Sequence, residues 1–221
     1  MDLHVLWHYA PALLSGFAVT ILCWGLGSLI GLVPGFAVAL LYRLPLPALR
    51  WSQHCYIEVI RGTPFLVQLF LLYSGGPFIG VRLSAVTAGI VGLGVYAAAY
   101  FAELFRAGFA AVPRGHREAA MSLGISPLDI LARRTLPGML VAIVPALVNM
   151  LIILAKKTVV LSIITVPEPM YQVETMAAQT FSAFSSIFAV AVLYWLLVEA
   201  VSHLGRRAGQ RVTAFLGARA A

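Results

Sequence analysis

Residues 13–42 read LLSGFAVTILCWGLGSLIGLVPGFAVALLY, and no charged side chain interrupts them. An α-helix needs about 20 mostly apolar residues to cross the hydrocarbon core of a bilayer, so a run of this length reads as a membrane helix. Gly27, Gly31 and Gly35 recur at every fourth position within it. That spacing gathers small residues on one helix face and favours close contact with a second helix, although simple glycine abundance in membrane helices gives the same pattern. Pro34 lacks a backbone donor and predicts a kink.

Working outward, further apolar stretches lie near 57–79, 84–105, 138–155 and 183–204, and with 13–41 they make about five spans. The expected fold class is therefore all-α: an integral membrane helical bundle, residues 1–221 forming a single transmembrane domain embedded in the lipid bilayer. The rest of the chain agrees, since 61% of its 221 residues are hydrophobic and only 10% are charged. A soluble protein carries roughly a quarter charged residues. The net charge of +7 would suggest nucleic acid in a soluble protein; on this apolar background it suggests basic flanks to membrane spans, and no nucleic-acid partner is expected. Cys23 and Cys55 have no CxxC or zinc-ligand spacing and read as structural thiols. Met1-Asp2-Leu3-His4 puts an acid where a signal peptide carries basic residues, so the first apolar stretch reads as a retained membrane helix.

Sorting the basic residues among the connections fixes an expected orientation. With the amino terminus outside, Arg43, Arg50, Arg106, Arg114, Arg117, Arg133, Arg134, Arg206, Arg207, Arg211 and Arg219 fall on the cytoplasmic side. Only Arg82, Lys156 and Lys157 then fall outside or near the outer face. Arg61 stands at the start of the second span, where a long side chain can snorkel to the interface. The positive-inside rule thus gives amino terminus out and carboxyl terminus in.

Two connections are long. The outer one, roughly 157–182, is mostly apolar and suggests a short helix on or dipping into the surface. The inner one, roughly 106–137, is charged and contains Pro113, Gly115, Gly124, Pro127 and Pro137. Residues 115–123 suit a short helix stopped at Gly124, and Ser126 can cap a second helix starting at Pro127. Ala119 and Ala120 are small enough for another surface to approach, with Arg117 and Glu118 as polar handles. Polar groups deep in apolar stretches face either a cavity or a neighbouring helix; Gln68, Thr87, Tyr96 and Asn149, with Lys156 and Lys157 near the outer part, are candidates for lining a solute route or for helix-to-helix bonding. Glu103 with Arg106, and Glu58 with Arg61, stand three apart and read as interfacial anchor pairs. Glu199, near His203, reads as approaching the inner interface.

The inner loop resembles that of the membrane subunits of ABC importers, which bears Glu-Ala-Ala, a glycine six residues after the Glu, and Leu-Pro at eighteen and nineteen. Glu118, Ala119, Ala120, Gly124, Leu136 and Pro137 occupy those positions, with Gly115 ahead of them. The family favours isoleucine where Arg134 stands. Arg61-Gly62-Thr63-Pro64, followed by Gln68, and the stretch from Ala99 to Arg106 resemble the polar amino-acid branch of that family. The branch carries Gln where this chain has His116, and Lys-Asp-Thr-Ser-Leu where it has Lys156-Lys157-Thr158-Val159-Val160.

The resemblance implies a multi-pass permease of the bacterial cytoplasmic membrane moving a polar amino acid or related solute. The inner loop would be a coupling helix seated in a separate ATPase subunit, which binds ATP and Mg; no cofactor is expected in this chain. A second permease subunit, identical or similar, and a periplasmic or extracellular solute-binding protein complete the implied partners. The sequence agrees that the chain is not itself the ATPase, because it has no phosphate-binding loop and its only lysines are Lys156 and Lys157. An ATPase-independent channel or secondary transporter is the alternative; no filter-like repeat supports a pore.

Overall fold

A computed structural model describes residues 3–180 and 183–217, and among these the regular structure is helical. The helices are α1 (Leu3–Leu41), α2 (Pro47–Gly62), α3 (Phe65–Phe70), α4 (Ala85–Ala111), α5 (Arg114–Ser122), α6 (Pro127–Ile130), α7 (Leu136–Lys157), α8 (Pro169–Thr180) and α9 (Ala183–Gly217). Four helical runs are long and apolar enough to span a membrane, and a bent pair makes up to five.

The glycine spacing in α1 does what its pattern suggested. A β-carbon on Gly27 would stand 2.9 Å from Leu93, one on Gly31 2.5 Å from Ala97, and one on Gly35 2.7 Å from Phe101. The register 27 to 93, 31 to 97, 35 to 101 makes α1 and α4 parallel, nearly backbone to backbone. Met139, Ile143, Met150 and Leu154 of α7 complete this core with Leu93, Ala97, Phe101 and Phe105 of α4. Trp24 Nε1 donates to the Leu151 carbonyl at 2.9 Å, tying α1 to α7. Antiparallel to α7 runs α9, with Tyr194 opposite Thr158 and Gly205 opposite Val148. At one end of the bundle Ser84 caps α4, accepting from the Thr87 N–H at 3.2 Å; α5 lies at the other end.

The span boundaries need correction. The second stretch, expected as one helix over 57–79, is two pieces, 47–62 and 65–79, that meet at 105°. Thr63 is extended (φ −109°, ψ 142°), because a residue before proline is driven out of the helical region and Pro64 cannot donate to close the turn. The fourth, expected over 138–155, belongs to a 38-residue run from Pro127 to Ile164. Pro137 does not interrupt it: a π-helical turn at Leu131–Thr135 precedes α7, and its wider ring accommodates the missing donor. A 3₁₀ stretch, Thr158–Ile164, extends the far end. The third and fifth spans also run further than expected, to Ala111 and Val212. The expected short helix in the 157–182 connection is α8, packed on α1 and α9.

Candidate functional site

Two places gather the residues singled out in the sequence. At the α5 end, Gly124 has φ +74° and ends α5 in a Schellman motif: the Ile125 N–H donates to the Ala120 carbonyl at 3.2 Å and the Gly124 N–H to Met121 at 3.0 Å. Ser126 then caps α6, accepting from the Asp129 N–H at 3.1 Å. The predicted helix, break and helix are therefore present, with the second helix continuous into α7. Gly115, Glu118, Ala119 and Gly124 are exposed together on this segment. Ala120 is instead turned inward at 8% exposure, and Leu136 packs against the main core, with Pro137 beside it half-buried. Around the exposed set, Met121, Leu123, Ile125 and Leu128 also face outward, Leu123 at 80% and Leu128 at 78%. Exposed apolar side chains in such a row mark a surface awaiting a partner.

The second place lies halfway along α4. Tyr96, Tyr100 and Glu103 follow at four and three residues and share one helix face. The Thr63–Pro64 bend brings Arg61 to Tyr100 and Phe65 to Tyr96 on that face, and the last residue of α7, Lys157, reaches Tyr96. Lys157 Nζ lies 4.5 Å from the centroid of the Tyr96 ring and 5.6 Å from that of Phe65. Tyr96 stacks on Tyr100 at 4.6 Å, and the Arg61 guanidinium lies 5.5 Å over Tyr100. Ring faces attract cations, more strongly where water is scarce. Glu103 is held by Arg106 through two hydrogen bonds of 2.9 and 2.7 Å and by Arg61 at 3.6 Å.

Of the six route candidates, the structure joins Tyr96 and Lys157. Gln68 instead braces the bend, its Nε2 donating at 2.7 Å to the Ile60 carbonyl, which Pro64 leaves open, and at 2.7 Å to Thr63 Oγ1. Thr87 works in the α4 cap, its hydroxyl 2.8 Å from that of Ser84. Asn149 and Lys156 are both exposed. Lys157, expected near the outer part of a solute route, meets Tyr96 about halfway along α4. The Glu58 to Arg61 anchor is also replaced, Arg61 going to Glu103. Glu199 pairs with Arg206 at 3.3 Å and stands beyond Leu197, which packs on Ala155. Arg206 also bonds Ser202. Phe65, Tyr100 and the paired Glu103 were missed as site members, and the shared helix face of Tyr96, Tyr100 and Glu103 was the signal that could have found them. Among the described residues no group of His, Cys, Asp and Glu could hold a metal ion.

Residues 27–213 match the family model described as binding-protein-dependent transport system inner membrane component. The chain is 35% identical over 187 residues to the probable amino-acid ABC transporter permease protein YckA of Bacillus subtilis, covering 85% of this chain and 83% of the relative. It is 30% identical to the arginine transport system permease protein ArtQ of the same organism, covering 89% and 90%. A solved structure, a crystal structure of an amino acid ABC transporter with histidines, superposes with a TM-score of 0.89 at 32% identity, covering 96% of this chain and 99% of the other.

Proposed function

The chain belongs to the family of binding-protein-dependent transport system inner membrane components, it is the permease subunit of an ABC importer, and we propose that it carries a polar amino acid or a closely related solute. A partner ATPase supplies ATP hydrolysis, a solute-binding protein delivers the cargo, and a second permease subunit completes the path. An ATPase-independent channel is not favoured by that membership.

The observation that carries this reading is the exposed α5 segment: Glu118 and Ala119 on a short helix, closed by the left-handed Gly124 and ringed by Leu123 and Leu128. A short amphipathic helix with uncovered apolar side chains suits a groove on another subunit. Beyond Gly124 the chain enters the 38-residue run that ends at Ile164 and carries Lys157 to the ring cluster. Movement of α5 with the closing ATPase is thereby linked to the residue that meets the solute. Because Ala120 is buried in the chain itself, Ala119→Trp is the cleaner probe. We expect it to accumulate in the membrane, to lose co-purifying ATPase and to lose solute-stimulated ATP hydrolysis. Normal assembly and normal stimulation would remove α5 from the coupling role. A reporter fused near residue 125 should read as cytoplasmic, and an external reading would overturn both the orientation and the docking.

The ring cluster presents positive charge, since Lys157 and Arg61 lie over ring faces while the nearby carboxylate, Glu103, is already engaged by two arginines. A carboxylate-bearing or neutral solute fits such a place better than a cationic one. Competition in uptake tests this. Preference for arginine or lysine over glutamine and glutamate would refute the charge argument while leaving the permease assignment intact.

A further inference from the structure

Between Ile164 and α8 the chain turns through an elbow at Thr165–Glu168. Thr165 adopts φ +63°, a conformation uncommon outside glycine. The elbow rests directly on the backbone of α1, because a β-carbon on Gly16 would lie 3.0 Å from Glu168 C, 3.1 Å from Pro169 N and 3.2 Å from Pro167 O. Within it Glu168 is completely shielded from solvent. One carboxyl oxygen, Oε1, accepts from the Tyr171 N–H at 3.1 Å. The other, Oε2, lies 2.9 Å from Tyr194 Oη; that oxygen lies 3.0 Å from Thr158 Oγ1, which lies 2.7 Å from the Ala155 carbonyl.

These three oxygen-to-oxygen contacts form a chain, and each needs one hydrogen. The carbonyl of Ala155 can only accept, so Thr158 spends its single hydrogen there. Tyr194 has one hydrogen for two contacts: given to Glu168 Oε2 it leaves the Thr158 contact empty, and given to Thr158 it leaves the Glu168 contact empty. With an ionised carboxylate, one contact of the chain would join two oxygens with nothing between them. The Thr20 hydroxyl, buried nearby, makes none of the three contacts. The missing hydrogen is supplied if the carboxyl itself carries it: Glu168 donates to Tyr194, Tyr194 to Thr158, and Thr158 to Ala155.

We propose that Glu168 is a proton-binding site, its carboxyl held as the neutral acid that completes this chain in the conformation seen here and releasing its proton when the elbow and α9 move apart. The surroundings favour the neutral form. Burial pushes the carboxyl from its ordinary 4.5 up to about 7, against the opposing pull of the Met170 and Tyr171 N–H groups. The titratable groups facing it are Cys23 on α1, Glu174 on α8 and Tyr194 on α9. The Thr158–Ile164 stretch contributes none, and among the described residues no cation pairs with Glu168. Since the folded value exceeds the ordinary one, the closed elbow gains its full support below the ordinary carboxyl range. That support is lost as pH rises through about 7.

The test uses the full chain in lipid nanodiscs, between pH about 5.5 and about 8.5. Infrared difference spectra should show a carboxylic-acid C=O band at the acid end that disappears at the alkaline end and is missing from Glu168→Gln. The amide of that variant can still donate to Tyr194, so it should fold and unfold at a temperature that no longer falls as pH rises. Every other titratable group is the same in both proteins, so the difference between them isolates Glu168. Absence of a titrating acid band in the wild type, which needs no variant, would overturn the proposal. So would a wild-type pH slope retained by Glu168→Gln. Neither readout involves the cargo or the ATPase, so the result stands apart from the transport assignment.

Discussion

Two glutamates at opposite ends of the bundle show how differently this chain treats polar groups. Glu168 is enclosed by α1, α8 and α9, its carboxyl within hydrogen-bond reach of Tyr171 and Tyr194. Glu118 stands exposed on α5, among apolar side chains that are themselves exposed. A buried polar group must find its partners inside the fold, because an unsatisfied one costs about 1–3 kcal/mol. An exposed helix with bare leucines is under no such demand and gains by meeting another surface. The polar group at the elbow is thus satisfied by the chain alone, whereas the α5 segment leaves apolar side chains uncovered.

The sharpest way to break this contrast is to attack the self-sufficient part. Gly31→Leu would drive a side chain into Ala97 and the Gly94 carbonyl, where the helix backbone cannot yield. Overpacking of this kind costs about 1–3 kcal/mol or more, and we expect little folded permease by fluorescence-detected size exclusion. Recovery at the wild-type level would show that α1 and α4 are not closely packed. Gly124→Val acts at the other end with a smaller effect on stability, about 1–2 kcal/mol for a side chain at φ +74°. The protein should remain in the membrane while solute-stimulated ATP hydrolysis falls; an unchanged stimulation would mean that the Schellman turn does not set the angle between α5 and α6. Ser126→Ala removes the cap of α6 and should lower the unfolding free energy by about 1 kcal/mol or less. The exposed Asp129 to Arg133 pair should contribute least, at most about 0.5 kcal/mol. A larger loss in Asp129→Asn would show that this segment is more tightly organised than its exposure suggests.

Much of the fold was legible because hydrophobic length and glycine spacing act locally and leave plain marks. The charge-free run at 13–42, the turn at Gly124 and the cap at Ser126 all read correctly. The 105° bend did not, because hydropathy averages across Thr63–Pro64 and cannot register direction. Nor did the passage through Pro137, since a π-helical turn that absorbs a proline has no compositional signature. The setting of Lys157 was not legible either, because the ring faces of Tyr96 and Phe65 that receive it come from other parts of the chain. Tyr96 and Lys157 were found as separate candidates and their meeting was not, because contact across helices depends on register. Glu168 drew no notice in the sequence, where a lone acid between two prolines looks like part of a surface turn.

The run from Pro127 to Ile164 has a further consequence as a lever. At 1.5 Å per residue its 38 residues extend about 57 Å. Pivoted near its centre, a tilt of about 5° would carry each tip through about 2.5 Å, in opposite directions. That travel is nearly the length of the contact between Glu168 and Tyr194, so a rocking too slight to disturb the glycine seam of α1 and α4 would be enough to part the hydroxyl chain at the distant tip.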